Sequence, residues 1–284
     1  MPAVRSLGSL LREGARRLES VSDSARLDSE LLLAHVLGVD RTVLYSRWEE
    51  GPQSGAMKQF DALLAERGAG RPLAQIIGRR EFFSLAFEIS RDVLVPRPET
   101  ELLVEVIRDG VDSTNRTARI LDLGTGCGAV AVALALTLPE SQLIATDNSQ
   151  RALAVARRNA AGLAPGRVRF VRGPWYGPLE GRRFDAIACN PPYVESALCG
   201  DLPLCFEPLA ALDGGPDGLR ELRLVISGAP AHLEQGGTLA VEHGADQGAA
   251  VRSLMRRAGL KAPVTHRDLA GHERVTAARK PSGD

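Results

Sequence analysis

After Arg119 the chain alternates repeatedly between short apolar runs and longer segments of helical period. This rhythm constrains its fold more than any other feature. Arg119–Leu123 reads as a strand, 129–138 as a helix, Gln142–Asp147 as a strand and 150–161 as a helix. Val168–Arg172 and Phe184–Cys189 read as further strands. A helix at 219–233, a strand at 238–242, a helix at 247–258 and two last strands near the C-terminal end follow. Such alternation builds an α/β, Rossmann-like fold, a mostly parallel sheet with helices on both faces, here of seven strands.

The N-terminal part follows a different period. Leu7, Leu10, Leu11 and Leu18 recur at helical spacing. Ser24 is placed to cap a second helix carrying Leu27, Leu31, Leu32 and Val36, with Gly38 as its stop. Asp40 opens a short third helix, and a fourth spans 53–67. Residues 1–74 are therefore expected to form a small helical bundle domain. In QIIGRREFFSLAFEIS the period changes to an Ile- and Phe-rich alternation, which predicts two short strands joined by a turn. Residues 75–95 are assigned to this β-hairpin linker and 96–284 to the second domain. Pro96 and Pro98 hold the connector extended before a helix that opens at Glu99 or Thr100.

Two stretches at strand ends carry the chemistry. The first, Asp122-Leu-Gly-Thr-Gly-Cys-Gly-Ala129, joins a strand to a helix. Its glycines allow close approach of a ligand to the backbone, and the helix behind them offers free N–H groups. Asp147 ends the next strand, where doubly wound folds place a carboxylate for a ribose hydroxyl. Gly124, Gly126 and Ala129 also satisfy the loose dinucleotide fingerprint, whereas Gly124, Gly126 and Gly128 fit the S-adenosylmethionine loop of class I methyltransferases. The loop does not choose between them.

The second stretch decides. FDAIACNPPY ends a buried strand on Asn190, Pro191, Pro192 and Tyr193. Prolines lack a backbone donor, so this corner presents carbonyl oxygens, the Asn190 side chain adds another, and Tyr193 offers a flat ring. Such a corner accepts both hydrogens of a planar –NH₂ group, a carboxamide or an exocyclic base amine. Accepting both shifts electron density onto a poorly nucleophilic nitrogen and aims it at a methyl donor. Asn190, Pro191 and Tyr193 are the expected catalytic group, and Asn190 to Tyr193 the expected substrate grip. No metal is required.

PRPETE at 96–101, DLGTGCGAVAVALA at 122–135, ATDNSQRALAVARRNA at 145–160 and FDAIACNPPYV at 184–194 resemble the release-factor glutamine methyltransferases. So do FEPLAALDGGPDGL at 206–219 and LEQGGTLAVEHGADQ at 233–247. The resemblance runs from about residue 70 to 275, and it implies a class I S-adenosylmethionine-dependent methyltransferase. The implied acceptor is the side-chain amide of the glutamine in the Gly-Gly-Gln motif of peptide chain release factors. It implies S-adenosylmethionine contacts from Gly124, Thr125, Gly126, Cys127, Gly128, Asp147, Trp175 and Asn190, with Trp175 beside the adenine. The helical domain would help grip the release factor. Residues 195–205 and the end, GHERVTAARK, depart from the family pattern.

The alternative is an amino-methyltransferase of adenine or guanine in nucleic acid, since such enzymes share Asn-Pro-Pro-Tyr. It requires base flipping and a basic groove. Lys+Arg and Asp+Glu each number 35, a balance that speaks against holding nucleic acid by phosphate neutralisation. A nicotinamide-dependent oxidoreductase leaves Asn-Pro-Pro-Tyr without a task. The four cysteines form no C-x-x-C pair, and the five histidines show no ligand spacing. The 213–218 glycine cluster reads as a turn or a flap over the acceptor, and Glu242-His243 as a packing element near the crevice. The first residues do not read as a signal peptide, and no apolar run approaches the ~20 residues of a membrane span. A cytoplasmic monomer is expected, with release factors as partners and neither membrane nor direct nucleic-acid binding.

Overall fold

In the computed structural model, which describes residues 6–52, 55–111, 117–201 and 203–282, the N-terminal leucine repeat closes into α1 (Leu7–Leu18). It is followed by α2 (Ala25–Leu37), α3 (Arg41–Ser46), α4 (Ala56–Gly68) and α5 (Leu73–Ile77). Leu7, Leu10, Leu11 and Leu18 pack into one buried cluster with Leu32, Leu33, Leu44, Phe60 and Leu64. Each such side chain contributes roughly 1.5–3 kcal/mol on burial. Gly38 ends α2 at φ 64° as the sequence predicts. Ser24 occupies the cap position of α2 without capping it. Its hydroxyl donates instead to Asp28 at 3.1 Å, a carboxylate that also receives Arg67 at 2.7 Å. The start expected for the fourth helix at 53 lies outside the described residues.

Residues 73–77 correct the sequence reading, which placed the first strand from Gln75. Pro72 accepts from the amides of Gln75 and Ile76, and Gly78 closes the turn at φ 78°. The apolar Ile76-Ile77 pair packs against the helical cluster, a fit that alternation alone does not distinguish from a strand. The hairpin then forms from β1 (Arg79–Phe82) and β2 (Leu85–Glu88). The chain divides into two units, one running to Arg79 and the other from Arg80.

In the second unit, residues 98–100 form a 3₁₀ turn that leads into α6 (Glu101–Gly110). The elements after it are β3 (Arg119–Leu123), α7 (Ala129–Thr137), β4 (Gln142–Asp147), α8 (Gln150–Leu163), β5 (Val168–Arg172) and β6 (Phe184–Cys189). Then come α9 (Arg220–His232), β7 (Leu233–Glu242), α10 (Gly248–Arg257), β8 (Lys261–Arg267) and β9 (Glu273–Arg279). The seven strands after the hairpin form one sheet in the order β5-β4-β3-β6-β7-β9-β8. The first five pair in parallel, and β9 is antiparallel to both β7 and β8. β7 begins at Leu233 rather than 238, because Leu233 pairs with Phe184 ahead of a register shift and Gly236 turns at φ 77°. Gly236 and Gly237 are an irregularity inside a longer strand.

Alternate residues of the central strands face opposite layers. Leu121, Leu123, Ile187, Cys189, Leu239 and Val241 pack with Leu222, Val225 and Ile226 of α9 and Val251 and Met255 of α10. Their neighbours Ile120, Ala186, Ala188 and Ala240 are equally buried toward α6 and α7. The order of strands reverses between β4 and β6 on either side of β3. That switch point opens a crevice beyond the carboxyl ends of β3, β4 and β6. Among the described residues no helix is long and apolar enough to cross a membrane.

Candidate active site

The crevice holds a cleft of about 450 Å³. Gly124, Gly126, Asp147, Trp175, Asn190 and Pro192 line it, with Val93 and Leu94 from the connector and Pro208, Ala210 and Ala211 from the opposite lip. Thr125, Cys127, Gly128 and Pro191 are buried behind this wall. Tyr193 turns its hydroxyl away toward Glu242, at 3.1 Å.

The glycine loop has three left-handed residues, at φ 71°, 56° and 86° for Gly124, Gly126 and Gly128. They do different work. A Cβ on Gly126 would meet nothing within 4 Å, so its surface is free for a ligand. A Cβ on Gly128 would meet Ala156 of α8 at 3.1 Å, so this glycine lets α7 start close against α8. A Cβ on Gly124 would approach the Trp175 ring at 3.4 Å. Thr125 pins the loop from below, its hydroxyl donating to Asp122 at 2.6 Å and its amide to the Thr146 carbonyl at 2.9 Å. Burial pushes the Asp122 carboxyl up to about 7, against the Thr125 hydrogen bond that favours its charge.

Asp147 accepts the Gly126 amide at 2.9 Å and the Ser149 amide at 2.8 Å. Its carboxylate thus ties the glycine loop to the start of α8 and still faces the cleft. Burial raises its pKa, opposed by those two amides. Trp175 stands on a left-handed backbone at φ 41°, and its indole N–H donates to Glu221 at 3.0 Å. The ring is thereby fixed beside the exposed Gly124.

Asn190 donates its Nδ2 to the Thr100 hydroxyl at 3.3 Å. With the amide in this orientation, Oδ1 is left for the cleft. The two prolines after it add no donor. Tyr193 is held behind by residues 213–218. Val194 and Asp213 form an isolated bridge, and a Cβ on Gly214 would meet the Tyr193 Cα at 2.8 Å. This cluster is a close-packed buttress, not a flap over the acceptor. Gln247 completes it by donating to the Tyr193 carbonyl at 3.1 Å.

Several of these supports escaped the sequence reading. Glu207 is buried and accepts the Val95 amide at 2.8 Å, and it pairs with Arg97, clamping the connector against the lip. Thr100, Glu221 and Gln247 support Asn190, Trp175 and Tyr193, and Glu242, read in the sequence as packing near the crevice, holds the Tyr193 hydroxyl. Glu101 accepts the Phe83 amide at 2.7 Å, so it fastens the hairpin turn and does not line the cleft. Burial pushes the Cys127 thiol up to about 12 and raises Cys189 as well, which keeps both neutral and unreactive. His243 bonds the Gly244 carbonyl and the Thr276 hydroxyl, both at 2.8 Å, and His232 stacks on Tyr176.

Comparison with known proteins agrees with this architecture. The family description "PrmC N-terminal domain" matches residues 9–78, and "Methyltransferase small domain" matches residues 98–200. A release factor glutamine methyltransferase of Xylella fastidiosa is 45% identical over 276 residues, covering 96% of this chain and 97% of the relative. The chain belongs to the release factor glutamine methyltransferase family. A family member from Burkholderia pseudomallei is 44% identical over 94% of this chain and 96% of its own length. A solved methyltransferase from Pyrococcus furiosus shares the fold, with a TM-score of 0.53 at 19% identity, covering 78% of this chain and 98% of its own. The second unit is thus a class I methyltransferase domain, and the sequence resemblance named the right family. The open cradle at Gly126, the carboxylate at the end of β4 and the fixed indole suit a nucleoside-bearing methyl donor.

Proposed function

We propose that the chain transfers the methyl group of S-adenosyl-L-methionine to the side-chain amide nitrogen of the glutamine in the Gly-Gly-Gln motif of peptide chain release factors. This reaction would tune translation termination in the cytoplasm. The observation that carries the reading is Asn190, whose Nδ2 is committed to Thr100 while Oδ1 is left for the cleft beside two donor-free prolines. In this reading Gly124 through Gly128, Asp147 and Trp175 hold the donor. Gly126 gives its backbone surface, Asp147 faces the ribose and Trp175 flanks the adenine. Bound S-adenosylmethionine supplies an electrophilic methyl on sulfur.

The residues of the chain do the rest. Asn190 Oδ1 and the carbonyls of the Asn190–Pro192 corner accept the two amide hydrogens. This raises electron density on a nitrogen whose lone pair is otherwise delocalised. The same contacts fix the nitrogen in line with the methyl, so positioning and preorganised dipoles supply the rate enhancement. Methylation would join the acceptor nitrogen to the methyl carbon as the carbon–sulfur bond breaks with its electron pair on sulfur, and the proton that the nitrogen loses would pass to solvent at the cleft.

Labelled S-adenosylmethionine tests the reading with a bacterial release factor, its Gly-Gly-Gln→Gly-Gly-Ala variant, duplex DNA and total RNA. Label on the intact release factor alone is expected. Label on nucleic acid and none on the release factor would transfer the function to base methylation.

A further inference from the structure

Glu242 ends β7 with its side chain fully buried, and the chemistry above gives it no task. Its Oε1 accepts the Tyr193 hydroxyl at 3.1 Å. The Thr100 hydroxyl lies beside the same carboxylate and favours its charged form. Oε2 is buried with no partner at hydrogen-bonding geometry among the described residues, Thr100 included, which leaves it an open acceptor beside that hydroxyl. On its other side Thr100 Oγ1 accepts from Asn190 Nδ2 at 3.3 Å. Asn190, Thr100 and the open oxygen of Glu242 therefore lie in sequence from the mouth of the cleft to the buried end of β7, with Tyr193 as a side branch.

A hydroxyl has one proton to give, and an ionised carboxylate can only accept. If Thr100 donates to Glu242, it can only accept from Asn190. Asn190 must then present Nδ2 to Thr100 and Oδ1 to the cleft. We propose that Glu242 is a positioning residue which sets the direction of this chain and so fixes which atom of the Asn190 amide meets the acceptor nitrogen. The inference rests on the amide-methylation reading for the identity of that acceptor. A neutral, proton-bearing side chain at 242 reverses the logic. It can donate to Thr100, which then donates to Asn190 Oδ1 and turns Nδ2 into the cleft, where two donors would face each other.

The groups facing Glu242 are Thr100 and Glu99 from the turn before α6, Tyr193 and the Cys189 thiol from the end of β6, and Arg274 from β9. Burial pushes the carboxyl up to about 7; Glu99 adds to this, while Thr100, Tyr193 and Arg274 oppose it. The active, ionised form is therefore lost as pH falls through that range. Turnover should fall with it.

The decisive variant is Glu242→Gln, nearly the same in shape but a donor at every pH. Wild type and variant are compared for methyl transfer to the release factor across pH 5.5–9, with calorimetry for S-adenosylhomocysteine as a check on fold and cofactor site. We expect kcat to drop on the order of 100-fold with Kd changed by less than about twofold, and the acid limb of the wild-type profile to vanish. Thr100→Ser should recover the turnover that Thr100→Val loses, because only the hydroxyl is needed. A Glu242→Gln variant with wild-type kcat and an unchanged acid limb overturns the proposal. If wild type itself labels no release factor, the functional reading has failed instead, which the wild-type arm reports separately.

Discussion

The two glycines at the centre of the loop offer the sharpest separation of ligand space from packing space. Gly126→Ala and Gly128→Ala both place a Cβ on a left-handed backbone, at φ 56° and 86°. That conformation costs an L-residue roughly 1–2 kcal/mol, partly offset by the ~0.4–1 kcal/mol that alanine gains by restricting the unfolded chain. For Gly126 nothing else is added, since its Cβ would meet no atom within 4 Å. The expected loss of stability is about 1 kcal/mol, a shift of ~2–4 °C in Tm for a unit of this size. For Gly128 the Cβ would sit 3.1 Å from the Ala156 Cβ and 3.3 Å from its Cα, which is backbone and cannot turn aside. Overpacking of this kind adds ~1–3 kcal/mol, for a total of about 2–4 kcal/mol. Binding should rank the other way. The Gly126 methyl would occupy the space into which the nucleoside must settle, and a displacement costing ~1–3 kcal/mol weakens Kd about 5- to 150-fold. Urea unfolding measures the first quantity and calorimetry with S-adenosylhomocysteine the second. A Gly126→Ala protein that binds like wild type would refute the placement of the donor over Gly126. A Gly128→Ala protein as stable as Gly126→Ala would refute the packing argument.

Asn190→Ala should leave S-adenosylhomocysteine binding measurable and reduce methyl transfer on the order of 10²–10³-fold, the usual cost of one preorganised polar group; single-turnover rates equal to wild type would exclude amide polarisation by this side chain. Asp147→Ala should weaken cofactor affinity, because it removes both the cleft carboxylate and the acceptor of the Gly126 and Ser149 amides, and unchanged binding by calorimetry would rule the contact out. Burial raises Asp122 to about 7, so between its ordinary range and that value the folded protein holds a proton that the unfolded chain has lost. Its contribution to stability is therefore greatest in acid and declines as pH rises toward 7, with a slope of up to ~1.4 kcal/mol per pH unit. Urea midpoints at pH 5 and 7.5 should lie closer together in Asp122→Asn than in wild type, and equal spacing in the two proteins would contradict the assignment.

What could be read from the sequence is what the backbone demands locally. The strands β3, β4 and β6 were recognisable because parallel strands buried on both faces become largely apolar runs, the edge strand β5 by its alternation, and the glycine loop because left-handed turns need glycine. Asn190 and Asp147 were legible for a related reason, since a polar residue ending such a run has only the carboxyl edge of the sheet to occupy. Where local patterns were degenerate the reading slipped. Ile76-Ile77 serves a helical turn as well as a strand, and the glycine pair at 236–237 conceals the earlier start of β7 at Leu233. The groups that orient the site were hidden for a different reason. Glu207 meets Val95 across 112 residues, and Tyr193 meets Glu242 across 49. No spacing rule links such pairs, because the fold brings them together only after every strand has taken its place. The division has a physical consequence. Residues that touch a ligand can be conspicuous one at a time, since each needs a particular backbone or chemistry. The direction of a hydrogen-bond chain belongs to no single residue. Asn190 can be found in the sequence, but whether its oxygen or its nitrogen faces the acceptor depends on a carboxylate 52 residues further along the chain, at the end of the neighbouring strand.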